Sequence, residues 1–342
     1  MARRWRSAAP GARPSRGFPP LEGWPGGLPG ALRRRAGVAT AGDKEPMPML
    51  LSYQTIDVFT RTRFGGNPLA VVLHADGLTT EQMQAVAREF NYSETSFVLR
   101  PVDPRHTAQI RIFTPTTEVP FAGHPNVGTA FVLAGLEGAG GAEEFVFEEK
   151  AGLVRARILR DAGRVGEVRL TAPQALRIGR TFDPAAVAAC LSLAPGDIAT
   201  GVHQPCIASV GLPFLVVEIA SRDALARAVA QPAAFSDILP SDGADAIYLY
   251  CRATAERDGA VDFTARMFAP FDGLPEDPAT GSATAATCAL LASMEKTAIR
   301  RFEVAQGIDM GRPSLISIDV AGTDPVEIGG SCVPVMSGTL VL

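Results

Sequence analysis

The sequence predicts an α+β protein built from two related halves, each with a β-sheet wrapped around one central helix. Three observations lead to this prediction. A seven-residue pattern, x-P-x-x-G-[S/T]-A, occurs at residues 124–130 and again at residues 277–283. Each copy opens an apolar, helix-like run, and short strand-like segments surround both runs. Such self-similarity indicates two related units within the chain.

The first half is predicted to contain two helices among short strands. Thr79 and Gln82 form a capping box, and apolar residues recur at helical spacing after them, which predicts an amphipathic helix over residues 80–91. The run from Pro125 to about residue 136 is apolar all round, so we expect a helix buried in the middle of its half. Strands are predicted at 52–60, 69–73, 109–114, 144–149, 153–159 and 167–171.

The second half repeats this order. A nearly all-apolar helix is predicted over residues 278–293. The predicted domains are a first lobe at 49–170, completed by about 327–342, and a second lobe at 171–326. Strands are predicted at 214–219, 246–252, 261–268, 300–305, 315–320 and 333–342, the last returning to the sheet of the first lobe.

Length and composition fit a globular protein. The 342 residues have room for two domains, and 46% of them are hydrophobic and 20% charged. No apolar stretch approaches the roughly 18 residues of a membrane span. We expect a soluble, cytoplasmic protein that does not bind membranes.

The first 46 residues differ from the rest, with nine basic residues against three acidic ones, seven prolines and eight glycines. We expect residues 1–48 to be a disordered N-terminal extension, with the working chain starting near Met47 or Met49. The arginine-rich start loosely resembles an organellar transit peptide, but no amphipathic pattern supports targeting. Without the +6 charge of this segment, the net charge of −4 becomes about −10, which argues against nucleic-acid binding.

The cysteines and histidines indicate no metal site. The five cysteines are an odd number, widely spaced and without a C-x-x-C pair, so neither a zinc site nor a disulfide framework is predicted. The four histidines lack an H-x-x-x-H spacing, and no phosphate-loop or G-x-G-x-x-G signature occurs. We therefore expect no metal and no cofactor.

The predicted chemistry lies at the starts of the two apolar helices. Proline is favoured at the first helical position, so Pro125 and Pro278 predict that His124 and Asp277 occupy the N-caps. Unpaired backbone N–H groups and the helix dipole attract anions there. Two such termini facing each other across a cleft would hold a carboxylate-bearing substrate.

Small and hydroxyl-bearing residues follow each helix start. Gly128 and Gly281 are expected to let the backbone approach a ligand closely, while Thr129 and Ser282 supply hydroxyl groups. Glu94 adds a carboxylate where a helix ends and an apolar strand begins, a place where loop residues tend to carry function.

Each of these residues alone also has a simpler structural explanation. Asp277 is a favourable N-cap, Ser282 is an ordinary first-turn helix residue, and Glu94 would be a solvated loop carboxylate. His124 is different, because histidine is not a favoured cap and its ordinary pKa near 6.5 suits proton transfer. Only the combination favours an active site.

Five sequence blocks, taken in order, carry a resemblance. They are Gly66-Asn67-Pro68-Leu69-Ala70-Val71-Val72, Ser93-Glu94-Thr95-Ser96-Phe97, Phe121-Ala122-Gly123-His124-Pro125-Asn126-Val127-Gly128-Thr129-Ala130, Glu276-Asp277-Pro278-Ala279-Thr280-Gly281-Ser282-Ala283, and Gln306-Gly307 with Met310-Gly311-Arg312-Pro313-Ser314. Together they resemble the phenazine-biosynthesis (PhzF-like) isomerase family, over about residues 50–342.

The resemblance implies a fold and an activity. The fold is the diaminopimelate-epimerase-like one: two pseudo-symmetric lobes, each a mostly antiparallel β-sheet rolled around a central α-helix, with the active site in the cleft. Glu94 is implied as the main acid/base, assisted by His124, Asp277 and Ser282. Related epimerases carry a catalytic cysteine at each helix start, which this chain lacks, so a two-thiol racemisation is not expected. A homodimer is also implied.

We expect cofactor-independent isomerisation of a small carboxylate-bearing substrate. Glu94, partly desolvated and with a raised pKa, would remove a proton from one carbon and return it at another. His124 and Asp277 would position the substrate and share protons, while Ser282 and nearby backbone N–H groups would bind developing negative charge. The expected substrate-binding residues are Gly123, Thr129, Thr280 and Gly281.

Two alternatives remain open at this point. One is a ligand-binding or protein-interaction module on the same fold, without catalysis. The other is a racemase or epimerase of amino-acid-like compounds. The sequence does not identify the substrate, because the residues that carry the chemistry do not fix the walls of a pocket.

Overall fold

The structure is a computed structural model that describes residues 49–136, 141–252, 261–272, 274–296, 299–321 and 326–342. The extension predicted at residues 1–48 lies outside the described residues.

The described part of the chain forms six α-helices and nineteen β-strands. The helices are α1 (Thr80–Phe90), α2 (Gly123–Gly135), α3 (Pro184–Cys190), α4 (Arg222–Arg227), α5 (Pro232–Ile238) and α6 (Gly281–Glu295). The strands are β1 (Leu50–Val58), β2 (Asn67–Val72), β3 (Glu94–Leu99), β4 (Ala108–Phe113), β5 (Glu118–Val119), β6 (Glu144–Glu149), β7 (Gly152–Asp161), β8 (Arg164–Thr171), β9 (Arg177–Thr181), β10 (Ile198–Ala199), β11 (Cys206–Ser209), β12 (Pro213–Ile219), β13 (Ile247–Arg252), β14 (Phe263–Ala269), β15 (Leu274–Asp277), β16 (Ile299–Gln306), β17 (Ser314–Ala321), β18 (Val326–Gly330) and β19 (Cys332–Val341).

The strands pair as one mixed sheet with two similar runs. In the first run β1, β2, β3, β4, β6, β7 and β8 are neighbours in that order. In the second run β11, β12, β13, β14, β16, β17 and β18 follow the same order of antiparallel and parallel pairings. β8 and β18 pair antiparallel and join the two runs. The predicted α+β class, rich in sheet, is confirmed.

The two apolar helices lie inside the sheet. α2 packs against β1, β2, β7 and β8, and α6 packs against β11, β12, β17 and β18. Most residues of both helices are buried, as their lack of a polar face predicts. Gly128 lies at the contact between α2 and the sheet, where a Cβ atom would come within 2.5 Å of Leu69 Cδ2 and 2.7 Å of Ile56 Cδ1. The expectation that Gly128 admits a ligand is wrong, because its missing side chain makes room for the sheet.

The amphipathic helix α1 confirms its sequence signal. It covers Thr80–Phe90, and the Thr79 hydroxyl accepts from the backbone N–H of Gln82 while the Gln82 side chain accepts from the backbone N–H of Thr79. Met83, Val86 and Ala87 are buried against the sheet. The capping box therefore fixes the start of the helix, and the apolar spacing fixes its buried face.

α2 begins earlier than predicted. Its first residue is Gly123 and its N-cap is Ala122, so His124 is the second helical residue and not the N-cap. Pro125 then stands third, which is tolerated because backbone N–H groups in the first turn have no intrahelical partner. The proline therefore marks the first turn without marking its first residue.

α6 begins later than predicted. Its first residue is Gly281 and its N-cap is Thr280, while Asp277 is the last residue of β15 and therefore not an N-cap. The cause is Gln306, whose Nε2 donates to the Asp277 carbonyl at 2.9 Å and whose Oε1 accepts from the Thr280 N–H at 3.0 Å. These bonds hold the segment before α6 out of the helix. His124 and Ser282, not His124 and Asp277, occupy equivalent second positions of the two helices.

β19 pairs antiparallel with β1 along its whole length, from Leu50 opposite Val341 to Val58 opposite Cys332. The last predicted strand therefore does return to pair with the first strand, whereas the completion of the first lobe by about residues 327–342 stays a prediction. The lobe boundaries at 49–170 and 171–326 stay predictions. Among the described helices, none combines the length and apolar character needed to cross a bilayer.

Candidate active site

A largely buried polar cluster brings together side chains from the first and second halves of the chain. Its members come from the start of β2, the start of β3, the first turn of α2 and the end of β15. They are Asn67, Ser93, Glu94, His124 and Asp277, and we call them the site cluster. Three of the four predicted catalytic residues thus lie together.

Glu94 and His124 contact each other within the first half. Glu94 is the first residue of β3, where parallel pairing sets it opposite Leu69 of β2. Nδ1 of His124 is 3.5 Å from Oε2 of Glu94. The His124 side chain is 5% exposed and the Glu94 side chain 19%. Glu94 therefore keeps some access to solvent, whereas His124 is enclosed.

The carboxyl group of Asp277 is buried and held by three donors. Nδ2 of Asn67 donates to Oδ1 at 2.8 Å, and the Ser93 hydroxyl lies 3.2 Å from the same oxygen. The Thr280 hydroxyl donates to Oδ2. Burial raises the pKa of Asp277 to about 6, and the hydrogen bonds from Thr280, Asn67 and Ser93 oppose that rise. A carboxyl with this pKa exchanges its proton near neutral pH.

Asn67 is the functional candidate that sequence reasoning missed. It is fully buried, and its Nδ2 donates to the Ala279 carbonyl at 3.1 Å as well as to Asp277. The same nitrogen of Asn67 lies 3.4 Å from Nδ1 of His124. The Ser93 hydroxyl lies 3.2 Å from Oδ1 of Asn67. The available signal was an amide side chain after two glycines, at the start of an otherwise apolar strand.

The N-termini of α2 and α6 adjoin each other. A Cβ atom on Gly123 would lie 3.6 Å from the backbone nitrogen of Ser282. Gly281 packs closely on the core, since a Cβ there would lie 3.0 Å from Phe59 Cζ and from Ile328 Cγ2. Both helices are long enough to present a positive end, so the junction of their starts favours an anion.

The other predicted site residues take different positions. Ser282 is half-buried and lies beside Gly123, one residue from His124. Thr280 is the N-cap of α6, and its hydroxyl is engaged by Asp277. Thr129 is fully buried in α2, and within the described ranges its hydroxyl has no hydrogen-bond partner.

The loop that leads to Asn67 is held from the second half of the chain. The Arg312 guanidinium donates to Oδ1 of Asp57 at 2.6 Å, to the Gly65 carbonyl at 2.9 Å and to the Gly66 carbonyl at 2.8 Å. Gly66 has φ +63, and a Cβ there would come within 2.3 Å of a backbone oxygen. Arg312 and the glycine conformation together fix the point at which Asn67 enters the site.

Burial also sets the charge of His124. It lowers the pKa of the imidazole from an ordinary value of 6.5 to about 3, so the ring is neutral at neutral pH. Nε2 of this ring is buried and, among the described residues, accepts or donates no hydrogen bond. A neutral imidazole with one unengaged nitrogen is suited to contact a bound molecule.

The low pKa of His124 predicts an acid-dependent loss of stability. Below pH 6.5 this residue is protonated in the unfolded chain, whereas in the folded chain it stays neutral down to about pH 3. The stability that the neutral ring contributes is fully present above pH 6.5 and is lost as the pH falls. The free energy of unfolding should then decrease by up to about 1.4 kcal/mol per pH unit. Chemical denaturation at pH 7, 6 and 5 should therefore show the wild type losing stability relative to His124→Gln. A difference that stays constant over this range would contradict the buried neutral ring.

Other parts of the surface offer grooves outside the site cluster. One groove lies between α1 and β19 and is lined by Tyr53, Phe90 and Leu340, and another lies between α1 and the segment around Glu118. Neither is lined by a residue of the site cluster. Within the described ranges, no group of three or more His, Cys, Asp and Glu side chains is arranged to hold a metal ion.

Comparison with known proteins decides the family. The model of the family described as phenazine biosynthesis-like protein (PhzC-PhzF) matches residues 56–338. The chain belongs to this phenazine biosynthesis-like family. An uncharacterized isomerase of Mesorhizobium japonicum is 41% identical over 302 residues, which cover 85% of this chain and 99% of the relative. The trans-2,3-dihydro-3-hydroxyanthranilate isomerase of Pseudomonas chlororaphis is 34% identical over 300 residues, with 85% and 99% covered.

Solved structures of the phenazine biosynthesis-like family have the same fold. The crystal structure of a PhzF-family phenazine biosynthesis protein from Bacillus anthracis matches with a TM-score of 0.77 and 25% identity, covering 86% of this chain and 100% of that one. A hydroxyproline epimerase from Agrobacterium vitis matches with a TM-score of 0.58 at 14% identity, covering 86% and 91%, and shares the fold alone. With relatives named as isomerases, the chain is an isomerase of the phenazine biosynthesis-like family.

Proposed function

We propose that this isomerase moves a proton between two carbons of a small carboxylate-bearing substrate, with Glu94 as the acid/base and without a cofactor. The observation that carries the proposal is the contact of Glu94 with His124 inside the site cluster, at 3.5 Å. A general base must be able to reach both its substrate and the groups that adjust its protonation. The partly exposed side chain of Glu94, next to the enclosed ring of His124, supports this role.

The anion-binding part of the proposal rests on the two helix starts. The backbone N–H groups of Gly123, His124, Gly281 and Ser282 belong to first helical turns and have no intrahelical partner. We propose that they bind the substrate carboxylate and the negative charge that develops next to it when a proton leaves. The Ser282 hydroxyl would add one further donor.

Asp277 and His124 complete the proposed machinery. Asp277, with a pKa of about 6, is able to accept or return a proton near neutral pH or to bind a substrate amine. His124, neutral through burial, would orient the substrate through Nε2. That Thr129 and Thr280 bind the substrate also remains a proposal.

We further infer that the two runs of strands, each with its central helix, are two pseudo-symmetric lobes with the active site between them. The matching order of antiparallel and parallel pairings in β1–β8 and in β11–β18 supports this inference. A homodimer stays a prediction.

The substrate is proposed by class only. A relative at 34% identity is named for the isomerisation of trans-2,3-dihydro-3-hydroxyanthranilate. We propose a substrate of the same general kind, a small carboxylate with a carbon-bound proton made acidic by the carboxylate or by a conjugated system.

The deciding experiment is hydrogen exchange in heavy water. The full chain is incubated with small amino and carboxylic acids, including the compound that names the Pseudomonas relative, and each is examined by proton NMR and mass spectrometry. We expect deuterium to enter at least one carbon position of a substrate, together with migration of a double bond. Inversion of a stereocentre without migration would indicate an epimerase instead. Binding of a ligand without any exchange would reduce the chain to a binding module.

A further inference from the structure

We propose that Asn67 is a positioning residue, which joins the first half of the active site to Asp277 and keeps the Asp277 carboxyl in its charged, hydrogen-bond-accepting form. The inference rests on the proposed function only in giving Asp277 a role in the reaction; the positioning itself is argued from the contacts of Asn67.

The orientation of the Asn67 amide is fixed by its neighbours. Its Nδ2 faces Oδ1 of Asp277 at 2.8 Å and the Ala279 carbonyl at 3.1 Å. A carbonyl and an ionised carboxylate only accept hydrogen bonds, so the group facing them is the NH2 end of the amide. The Oδ1 end then faces the Ser93 hydroxyl at 3.2 Å, whose single hydrogen is shared between this oxygen and Oδ1 of Asp277, also at 3.2 Å. All these contacts agree with one orientation of the amide.

The two hydrogens of Nδ2 are both engaged by the second half of the chain. The contact of Nδ2 with Nδ1 of His124 is longer, at 3.4 Å, and no third hydrogen remains for it. His124 Nδ1 is therefore left to direct its own hydrogen to Oε2 of Glu94, at 3.5 Å. Asn67 thus contacts both Asp277 and His124, and His124 in turn contacts Glu94.

The hydrogen bond from Asn67 bears directly on the charge of Asp277. Burial opposes ionisation of this carboxyl, and the donors that counter burial are Thr280, Asn67 and Ser93. Thr280 belongs to the same strand–helix segment as Asp277, whereas Asn67 reaches it from β2, 210 positions away in sequence. Ser93 also reaches this carboxyl from the first half, at 3.2 Å, so Asn67, at 2.8 Å, is the closer of two donors that tie the charge of Asp277 to the assembly of the two halves.

Few other charged groups face Asp277. Glu276, its neighbour on β15, is paired with Arg266 of β14. His124 of α2 contacts Nδ2 of Asn67 at 3.4 Å, with Glu94 of β3 next to His124, and the first turn of α6 carries no acidic side chain. With no described cation in contact with the Asp277 carboxyl, removal of the Asn67 donor should act on its protonation directly.

The test is a titration of Asp277 in three full-length proteins. Aspartate labelled with 13C at the carboxyl carbon is incorporated, and the Asp277 signal is assigned by its loss in Asp277→Asn. In the wild type the apparent pKa should be near 6. In Asn67→Ala it should rise by about one pH unit or more, the size expected when a charged group loses a hydrogen bond. In Asn67→Asp it should rise further, because two adjacent carboxyl groups resist double ionisation.

A matched control is available in Asn126, another fully buried asparagine, whose Nδ2 donates to the Ala122 carbonyl at 3.0 Å and not to Asp277. Asn126→Ala should leave the titration of Asp277 unchanged. An apparent pKa of Asp277 that increases from the wild type to Asn67→Ala and again to Asn67→Asp supports the inference. An unshifted Asp277 in a folded Asn67→Ala protein, or an equal shift in Asn126→Ala, overturns it. If Asn67→Ala does not fold, the titration of Asn67→Asp alone supports or overturns the inference, and if neither variant folds, the role of Asn67 is structural and the inference fails.

This readout does not depend on turnover. If the titration follows the expected order but no compound exchanges protons with heavy water, the inference about Asn67 stands and the proposed function falls. If exchange is found but the pKa of Asp277 does not change in the Asn67 variants, the proposed function stands and the inference about Asn67 fails. Where a substrate is found, the acid limb of kcat/KM should move upward in the same order as the titration.

Discussion

Replacing Glu94 by glutamine is expected to reduce turnover by about 10²- to 10⁴-fold, the usual contribution of a positioned acid or base. Glutamine has nearly the same size and shape as glutamate, but its amide neither accepts nor returns a proton at neutral pH. Ligand binding and folding should stay nearly intact, because Glu94 is partly exposed at the start of β3. Turnover is measured as deuterium incorporation or product formation, and binding by calorimetry on the same preparation.

The matched control for this variant is Glu89→Gln. Glu89 is an exposed carboxylate on α1, five positions before Glu94 in the same half of the chain. Its replacement removes the same charge without touching the site cluster, so the rate should remain close to that of the wild type. A Glu94→Gln protein with near-normal turnover would refute the acid/base role.

Replacing Arg266 by leucine is expected to destabilise the folded chain by about 3–5 kcal/mol, the loss typical of a broken buried ion pair. Arg266 is 8% exposed and makes a two-pronged contact with Glu276, at 2.8 and 2.7 Å. Its remaining nitrogen donates to the carbonyls of Leu225 and Ala228 at the end of α4, each at 2.9 Å. Leucine would leave the largely buried carboxylate of Glu276 and several carbonyl groups without their donor.

The control for Arg266 lies at the corresponding place in the first half. Arg111 pairs with Glu118 at 2.7 Å, but Glu118 also binds Lys150, at 2.6 Å, and would keep a partner. Arg111→Leu should therefore cost clearly less than Arg266→Leu. Urea denaturation gives the loss in free energy of unfolding for both variants, provided that the dependence of that free energy on urea concentration is the same in each. Equal losses would mean that the carbonyl contacts at the end of α4 contribute little.

The parts of the fold that local sequence signals describe were predicted well. The capping box and apolar spacing of α1, the all-apolar character of α2 and α6, and the strand Glu144–Glu149 all appear in the structure. The predictions missed β5, β9 to β11, β15, β18 and α3 to α5. These elements are short, and six or seven residues do not complete two helical turns, so no periodicity develops. β9 is also mostly exposed and carries arginines instead of an apolar face.

The site was predicted in its members but not in its geometry. The repeated motif brought His124 and Asp277 to attention, yet it aligned them with each other. In the structure the helix starts Gly123 and Gly281 correspond, because Gln306 holds the peptide before α6 out of the helix. Asn67 was quoted within a sequence block, but its place in the site was not predicted, for the same kind of reason. Its importance depends on acceptors more than 200 positions away, which no local pattern reveals.

The pairing of β1 with β19 has a consequence for biosynthesis. β1 is among the first described elements to leave the ribosome, and its neighbour on one side is made only after every other strand in the described chain. Until then one edge of β1 carries open backbone donors and acceptors, a state that invites pairing with other chains. The pairing of β1 on this side therefore waits until the residues of β19, up to Val341, have left the ribosome.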